Sequence, residues 1–253
     1  MKVKEYIVNE LENKGALFFA VIDPIDYASP DDAVNAGKTA YENGADAVLI
    51  GGSIGVQGML LEHVSQRIKE EIDIPLILFP GNLATLTPTA DAVYFMTLLN
   101  SRNPYWISQV QTLAAPVIKM MKIETLPVGY IVVEPGGSVG WVGDANLVPR
   151  NKPKIAAALA TAAELMGNQF VLTDAGSNPA NGHIPLEMVG MVSRAISVPY
   201  IVAGGIRTPE DAENIVKSGA DIIQVGTMFE SESSRQRISD MIKTVHKTGK
   251  SRI

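Results

Sequence analysis

A chain of 253 residues with 46% apolar side chains and 22 glycines can bury a full core without covalent staples, and its length suits a single α/β barrel. The absence of cysteine excludes disulfides, thiolate nucleophiles, thiolate-bound zinc and iron–sulfur clusters. Lys+Arg 21 against Asp+Glu 27 leaves a net charge of −6, which argues against nonspecific nucleic-acid binding.

The charged opening, residues 1–14, has no signal-peptide core. The longest strongly apolar run, residues 16–22, is far shorter than the roughly 20 residues that span a bilayer. The expectation is a soluble, cytoplasmic protein with no transmembrane segment. Apolar runs then recur at 17–22, 45–50, 76–79, 92–96, 129–133, 169–173, 200–203 and 221–225. Eight runs in 253 residues is about one per 32, the length of a βα unit. Each run is apolar on nearly every residue, as parallel strands covered on both faces require. Between them, Ser29-Pro30-Asp31-Asp32 and Thr208-Pro209-Glu210-Asp211 carry helix-start chemistry, and the alanine-rich stretch 152–166 favours a helix. Residues 43–53 and 218–227 echo each other: each passes through Gly-Ala-Asp into a strand that runs out into glycine. The predicted fold is a single-domain (β/α)8 TIM barrel; a doubly wound open sheet is the competing arrangement.

In such barrels the working residues follow the strands at their C-terminal ends. Those positions hold Asp23-Pro24, Gly51-Gly52-Ser53, Glu134-Pro135-Gly136-Gly137, Asp174 to Asn178, Gly204-Gly205-Ile206-Arg207 and Gly226-Thr227. Glycines after strands seven and eight let backbone N–H groups converge on a phosphate, and the helix starting near Thr208 would add its positive end. A sugar phosphate, FMN or glycerol phosphate would each satisfy that pattern; tight turns alone would also explain it. Asp23 and Ser53 form a sparse oxygen set that suits Mg²⁺, although Asp23 could instead cap a turn and Ser53 bond backbone. Asp174 is the best-placed general base and Glu134 the rival. His63 and His246 read as surface residues, His183 as a loop residue, and no metal-ligand spacing joins them. Strand six carries no Schiff-base lysine, Lys119 and Lys122 fall ahead of strand five, and no dinucleotide fingerprint follows strand one.

Asp23-Pro24, Gly51-Gly52-Ser53, residues 132–137, the Ala-Gly-Ser of strand six, residues 203–207 and Val225-Gly226-Thr227 occur in an order that resembles the geranylgeranylglyceryl/heptaprenylglyceryl phosphate synthase family of archaeal type. The resemblance spans essentially the whole chain. It implies a prenyltransferase that joins sn-glycerol 1-phosphate to geranylgeranyl diphosphate through an ether at the glycerol 3-hydroxyl. It further implies Mg²⁺ on Asp23 and Ser53, and acceptor binding by Leu172, Thr173, Asp174, Ala175, Gly176, Ser177, Asn178, Gly204, Gly205, Gly226 and Thr227. A homo-oligomer, dimer or hexamer, is implied as well.

Strand six departs from the family's Tyr-Leu-Glu-Ala-Gly-Ser-Gly. Leu172 removes a phenolic hydrogen bond to the acceptor, Asp174 is one methylene shorter than glutamate, and Asn178 stands where glycine is usual but tolerates positive φ. An apolar groove for the C20 tail would draw on Tyr94, Phe95, Met96, Tyr105, Trp106 and Trp141. Two alternatives stand beside the synthase: an FMN-dependent oxidoreductase, and a phosphate-binding barrel without turnover.

Overall fold

Side chains alternate along a strand, so a strand that is apolar throughout needs a core on each side. The computed structural model, which describes residues 1–226 and 235–253, gives every run both. The strands are β1 (Leu17–Ile22), β2 (Ala47–Ile50), β3 (Leu76–Leu78), β4 (Ala92–Leu98), β5 (Glu124–Val132), β6 (Phe170–Asp174), β7 (Tyr200–Ala203) and β8 (Ile222–Val225). They form a closed parallel barrel in chain order, with Leu17 of β1 opposite Ile222 of β8. Phe19, Leu49, Tyr94, Leu126, Phe170 and Ile201 fill the interior. Phe18, Val48, Val93, Val171, Val202 and Ile223 face the surrounding helices. The open-sheet alternative is excluded by closure. β5 begins five residues before the predicted run, because Pro127 and the exposed Thr125 hide its start in the sequence.

Helix α1 (Val3–Lys14) precedes the barrel; α2 (Pro30–Glu42), α3 (Gly58–Glu71), α4 (Val110–Met121), α5 (Gly137–Val142), α6 (Pro153–Leu165), α7 (Leu186–Ser193), α8 (Pro209–Lys217) and α9 (Arg235–Lys250) follow. Ser29 caps α2 through Asp32 N, and Thr208 with Asp211 forms a capping box on α8, both with proline in the first turn. The alternation breaks once: residues 79–91, between β3 and β4, form no helix. Pro80, Gly81 and Pro88 interrupt any helical run there. No helix among the described residues is long and apolar enough to cross a membrane.

The end of the barrel where strands begin is tied by carboxylates that accept a neighbouring strand's amide. Asp91 accepts from Leu76 N and from Lys69, and Asp221 from Tyr200 N and Arg252. Asp46, fully buried, accepts from Phe18 N at 2.7 Å, Lys14 Nζ at 2.6 Å and His246 Nε2 at 2.8 Å. The echoed Gly-Ala-Asp segments thus share a structural task. His246 is not a free surface residue as expected: α9 packs inward through Ile238, Met241, Ile242 and Val245, which carries the next residue onto Asp46. His63 on α3 is exposed, as expected. Asp46→Ala would leave the buried Phe18 N–H without its acceptor and His246 without its carboxylate, while Lys14 keeps Glu10, and is expected to lower unfolding free energy by about 1–3 kcal/mol. Urea denaturation reads this directly, and turnover by the remaining folded protein should stay near normal.

Candidate active site

The strand ends open on a cavity of about 340 Å³ lined by Asp23, Gly52 and Ser53 on one side and by Gly176, Ser177, Gly204, Gly205 and Gly226 on the other, with Asp174 at its floor. Seven sequence-predicted site residues of the late strands, Asn178 among them, therefore share one cavity with Asp23 and Ser53. Arg207 and Arg237 add positive charge and Asp26 negative charge to the same lining.

Strand alternation sorts the rest of the acceptor segment. Leu172 points into the barrel core below the cavity. Thr173, fully buried, shares a 2.7 Å hydrogen bond with the Tyr200 hydroxyl, and Ala175 packs in the outer core. None of these three side chains lines the cavity. Asn178 does line it, at φ 44°, the left-handed conformation expected of it, with its Oδ1 accepting from Arg207 at 2.9 Å. Thr227 lies outside the described residues.

Asp174 is only 8% exposed and is held from two sides. The Tyr130 hydroxyl donates to Oδ2 at 2.6 Å, and Gly176 N donates to Oδ1 at 2.7 Å. Burial pushes its carboxyl above the ordinary aspartate range, and the two donors pull partly against that. The Tyr130 phenol is itself pushed well up by burial and then by the Asp174 charge. Glu134, by contrast, is exposed and accepts from Arg150 N at 3.3 Å. Tyr130 has no sequence signal beyond being a hydroxyl inside an apolar run; its contact with Asp174 depends on the β5–β6 register, which sets Tyr130 opposite Leu172.

Glycine is required where the phosphate loop approaches its neighbour. Gly205 has φ +72°, and a Cβ there would sit 2.5–2.7 Å from backbone atoms of Gly182 and His183. That neighbouring segment is fastened by Arg150, which donates to the carbonyls of Asn181 and His183. The expected contribution of the α8 N-terminus is different from the sequence reading. Arg207 N and Thr208 N both donate to Asp211 Oδ2, so the helix's own acid occupies that end.

Across the cavity, Gly52 at φ +130° lets Asp23 and Val56 pack closely against the loop backbone: a Cβ would collide with the Val56 side chain and lie 2.7 Å from Asp23 Oδ1. The Asp23 carboxylate does not cap the turn at Pro24–Asp26. A hard carboxylate and a hydroxyl lining the same cavity are a donor set that fits a Mg²⁺ ion completing its shell with water and substrate oxygens. No cluster of three His, Cys, Asp or Glu placed for a metal occurs among the described residues.

An apolar groove leaves the cavity between the helix-free 79–91 connection and α4. Leu83, Leu86, Phe95, Trp106, Ala114 and Ile118 line it, and Met96 and Tyr130 are shared with the cavity. Tyr105 lies outside it but packs edge-on against Trp106, centroids 5.0 Å apart. Trp141 does not line the groove: it is 84% exposed, because α5 is short and turns it outward.

Comparison with known proteins gives consistent results. Residues 9–249 match the PcrB family. The geranylgeranylglyceryl phosphate synthase of Thermococcus sibiricus is 49% identical over 248 residues, 96% of each chain. The enzyme of that name from Methanosphaera stadtmanae is 44% identical, covering 97% of this chain and 100% of its own. The crystal structure of (S)-3-O-geranylgeranylglyceryl phosphate synthase from Thermoplasma acidophilum, in complex with the substrate sn-glycerol-1-phosphate, superposes with a TM-score of 0.93 at 34% identity, covering 98% of this chain and 99% of that one.

Proposed function

The chain belongs to the PcrB family, and from that premise we propose that it transfers a geranylgeranyl group from its diphosphate to the 3-hydroxyl of sn-glycerol 1-phosphate. The products are 3-O-geranylgeranyl-sn-glyceryl 1-phosphate and diphosphate, the first ether-bond step of archaeal membrane lipid synthesis. One observation carries the reading beyond the names of the relatives. The buried Asp174 stands at the floor of a glycine-lined cavity and is hydrogen-bonded to Tyr130, one of the residues at which that cavity meets an apolar groove.

Backbone N–H groups of Gly204, Gly205 and Gly226, with Ser177 beside them and Thr227 beyond the described residues, bind the acceptor phosphate. That leaves the glycerol end over Asp174, which takes the 3-hydroxyl proton as the oxygen bonds to the prenyl carbon and the carbon–diphosphate bond breaks. Tyr130 and Gly176 hold the carboxylate in place while lone pairs remain for the incoming proton. The rings of Phe79, Tyr94 and Tyr130 stand together, Phe79 lying 5.5 and 5.8 Å from the other two. Their π faces offer a water-poor environment for positive charge developing on the allylic carbon. Asp23 and Ser53 would hold Mg²⁺, which when bound supplies charge that offsets the departing diphosphate. The groove takes the tail. The same reading includes a homo-oligomer, dimer or hexamer, in the cytoplasm; the solvent-facing Trp141, Leu113 and Met120 support self-association.

The test is an assay of diphosphate release and ether product with C15, C20 and C35 diphosphates against both glycerol phosphate enantiomers, with Mg²⁺. Preference for C20 and the sn-1 acceptor is expected; no ether product from any pair overturns the reading. Gly205→Val probes the phosphate loop. Its Cβ must displace the Gly182–His183 backbone, so the sn-glycerol 1-phosphate KM is expected to rise by about tenfold or more. The prenyl diphosphate KM should change little, and equal weakening of both substrates would show that the loop supports the whole barrel.

A further inference from the structure

Gln224 is a buried amide in the apolar run of β8, 2% exposed, and it lines the cavity floor. The Tyr94 hydroxyl, reaching across the barrel from β4, donates to its Oε1 at 3.2 Å. That bond turns the amide so that the carbonyl faces Tyr94 and Nε2 is left over. Nε2 has no hydrogen-bond partner among the described residues. Because Gln224 lines the cavity, this donor opens onto it, and a donor without a protein partner there is met by water or ligand.

The register places this donor beside the acceptor site. Asp174 of β6 is opposite Ala203 of β7, and Ala203 is opposite Gln224 of β8. Paired residues of neighbouring parallel strands face the same side, so a carboxylate, a methyl and an amide form one row across the floor. Ala203 puts only a methyl between the two polar groups. The row runs directly beneath Gly204, Gly205 and Gly226, and the layer below it is apolar at Leu172, Ile201 and Ile222. A three-carbon phosphate held by those glycines would bring two adjacent oxygens to this row. One would meet an acceptor of protons, and the other a donor.

We propose that Gln224 is a specificity-determining residue of the acceptor site, donating from Nε2 to the secondary hydroxyl of glycerol phosphate while Asp174 receives the primary one. The assignment rests on the acceptor reading given above. A fixed donor on one side of Ala203 and a fixed base on the other can serve both hydroxyls of one enantiomer only. In the mirror-image phosphate, the secondary hydroxyl is carried away from the amide.

The experiment uses 1,3-propanediol monophosphate, which keeps the phosphate and primary hydroxyl but lacks the secondary one. Calorimetric binding of both acceptors to the intact protein, without prenyl substrate, reads the hydroxyl independently of turnover. The natural acceptor is expected to bind about tenfold to a hundredfold more tightly, the usual worth of a hydrogen bond to a buried donor. In Gln224→Leu the preference should collapse to within about threefold, with loss confined to the hydroxylated ligand. Because that variant also strips Tyr94 of its acceptor, Tyr94→Phe/Gln224→Leu is measured beside it and should show the same collapse. Equal affinity of the unaltered protein for both phosphates overturns the assignment, and so does a folded Gln224→Leu that keeps the full preference. Should the unaltered protein discriminate and Gln224→Leu lose the preference while no ether product forms, the Gln224 assignment stands and the synthase reading falls.

Discussion

Replacing Asp174 by asparagine is expected to lower kcat by about 10²–10⁴-fold while leaving affinity for sn-glycerol 1-phosphate within a few-fold. A glycerol hydroxyl is a weak nucleophile, and its proton must leave as the ether bond forms. The amide side chain would keep the size and one acceptor atom for Tyr130 or Gly176 but could not receive the proton. The pH profile separates this role from a structural one. Burial raises the Asp174 carboxyl above the ordinary aspartate range, and the base works only when ionised. Activity should therefore fall as pH drops through that raised value, with the acid limb higher than an exposed aspartate would give, and Asp174→Asn should remove the limb. Asp174→Glu should retain far more activity than asparagine. Glu134→Gln is the control: its carboxylate is exposed and engaged by Arg150 N. A large kcat loss there, with Asp174→Asn nearly unaffected, would move the base to the end of β5.

Asp23→Asn is expected to leave a folded barrel and lower turnover by about two orders of magnitude or more, because a Mg²⁺ ion at this position would lose its charged protein ligand. Asparagine matches aspartate in size, so the amide fits where the carboxylate packs close to Gly52 without displacing its neighbours. Dependence on Mg²⁺ should shift to higher concentration, while affinity for glycerol phosphate across the cavity stays near normal. Calorimetric titration of the ion in the presence of inorganic diphosphate measures the loss without turnover. Near-normal turnover of Asp23→Asn at limiting Mg²⁺ would remove the ion from this carboxylate.

The barrel is legible in the sequence because parallel strands leave doubly apolar runs and because glycine or aspartate follows most strands at the working end, β4 being the exception. The location of Asp174, Gly204, Gly205 and Gly226 follows from that plan. Contacts fixed by register are less legible. Tyr130 and Gln224 are single polar residues in apolar strands, and their importance emerges only when β5 meets β6 and β8 faces β4 across the interior. His246 looks like one more polar residue of a terminal helix until the turn of α9 brings it to Asp46. Leu172, Thr173 and Ala175 share a segment with true lining residues, yet the two-residue period of the strand turns them to other surroundings. The groove follows from the missing helix between β3 and β4, an interruption that proline and glycine at 80, 81 and 88 already hinted at.

The pairing of β8 back onto β1 sets the order in which the molecule can be completed during synthesis. Leu17, Phe18, Phe19 and Ala20 find their second neighbours only in Ile222 to Val225, about two hundred residues later, and Asp46 gains His246 later still. Until then β1 is an unpaired edge, available to any other unfinished chain. Closure between such distant partners carries the largest loop entropy in the fold and belongs to its slowest assembly steps. A ribosome-bound chain ending before β8 would thus hold an open curved sheet with its prospective catalytic floor incomplete, so premature termination should yield aggregation-prone fragments and not a partially active enzyme.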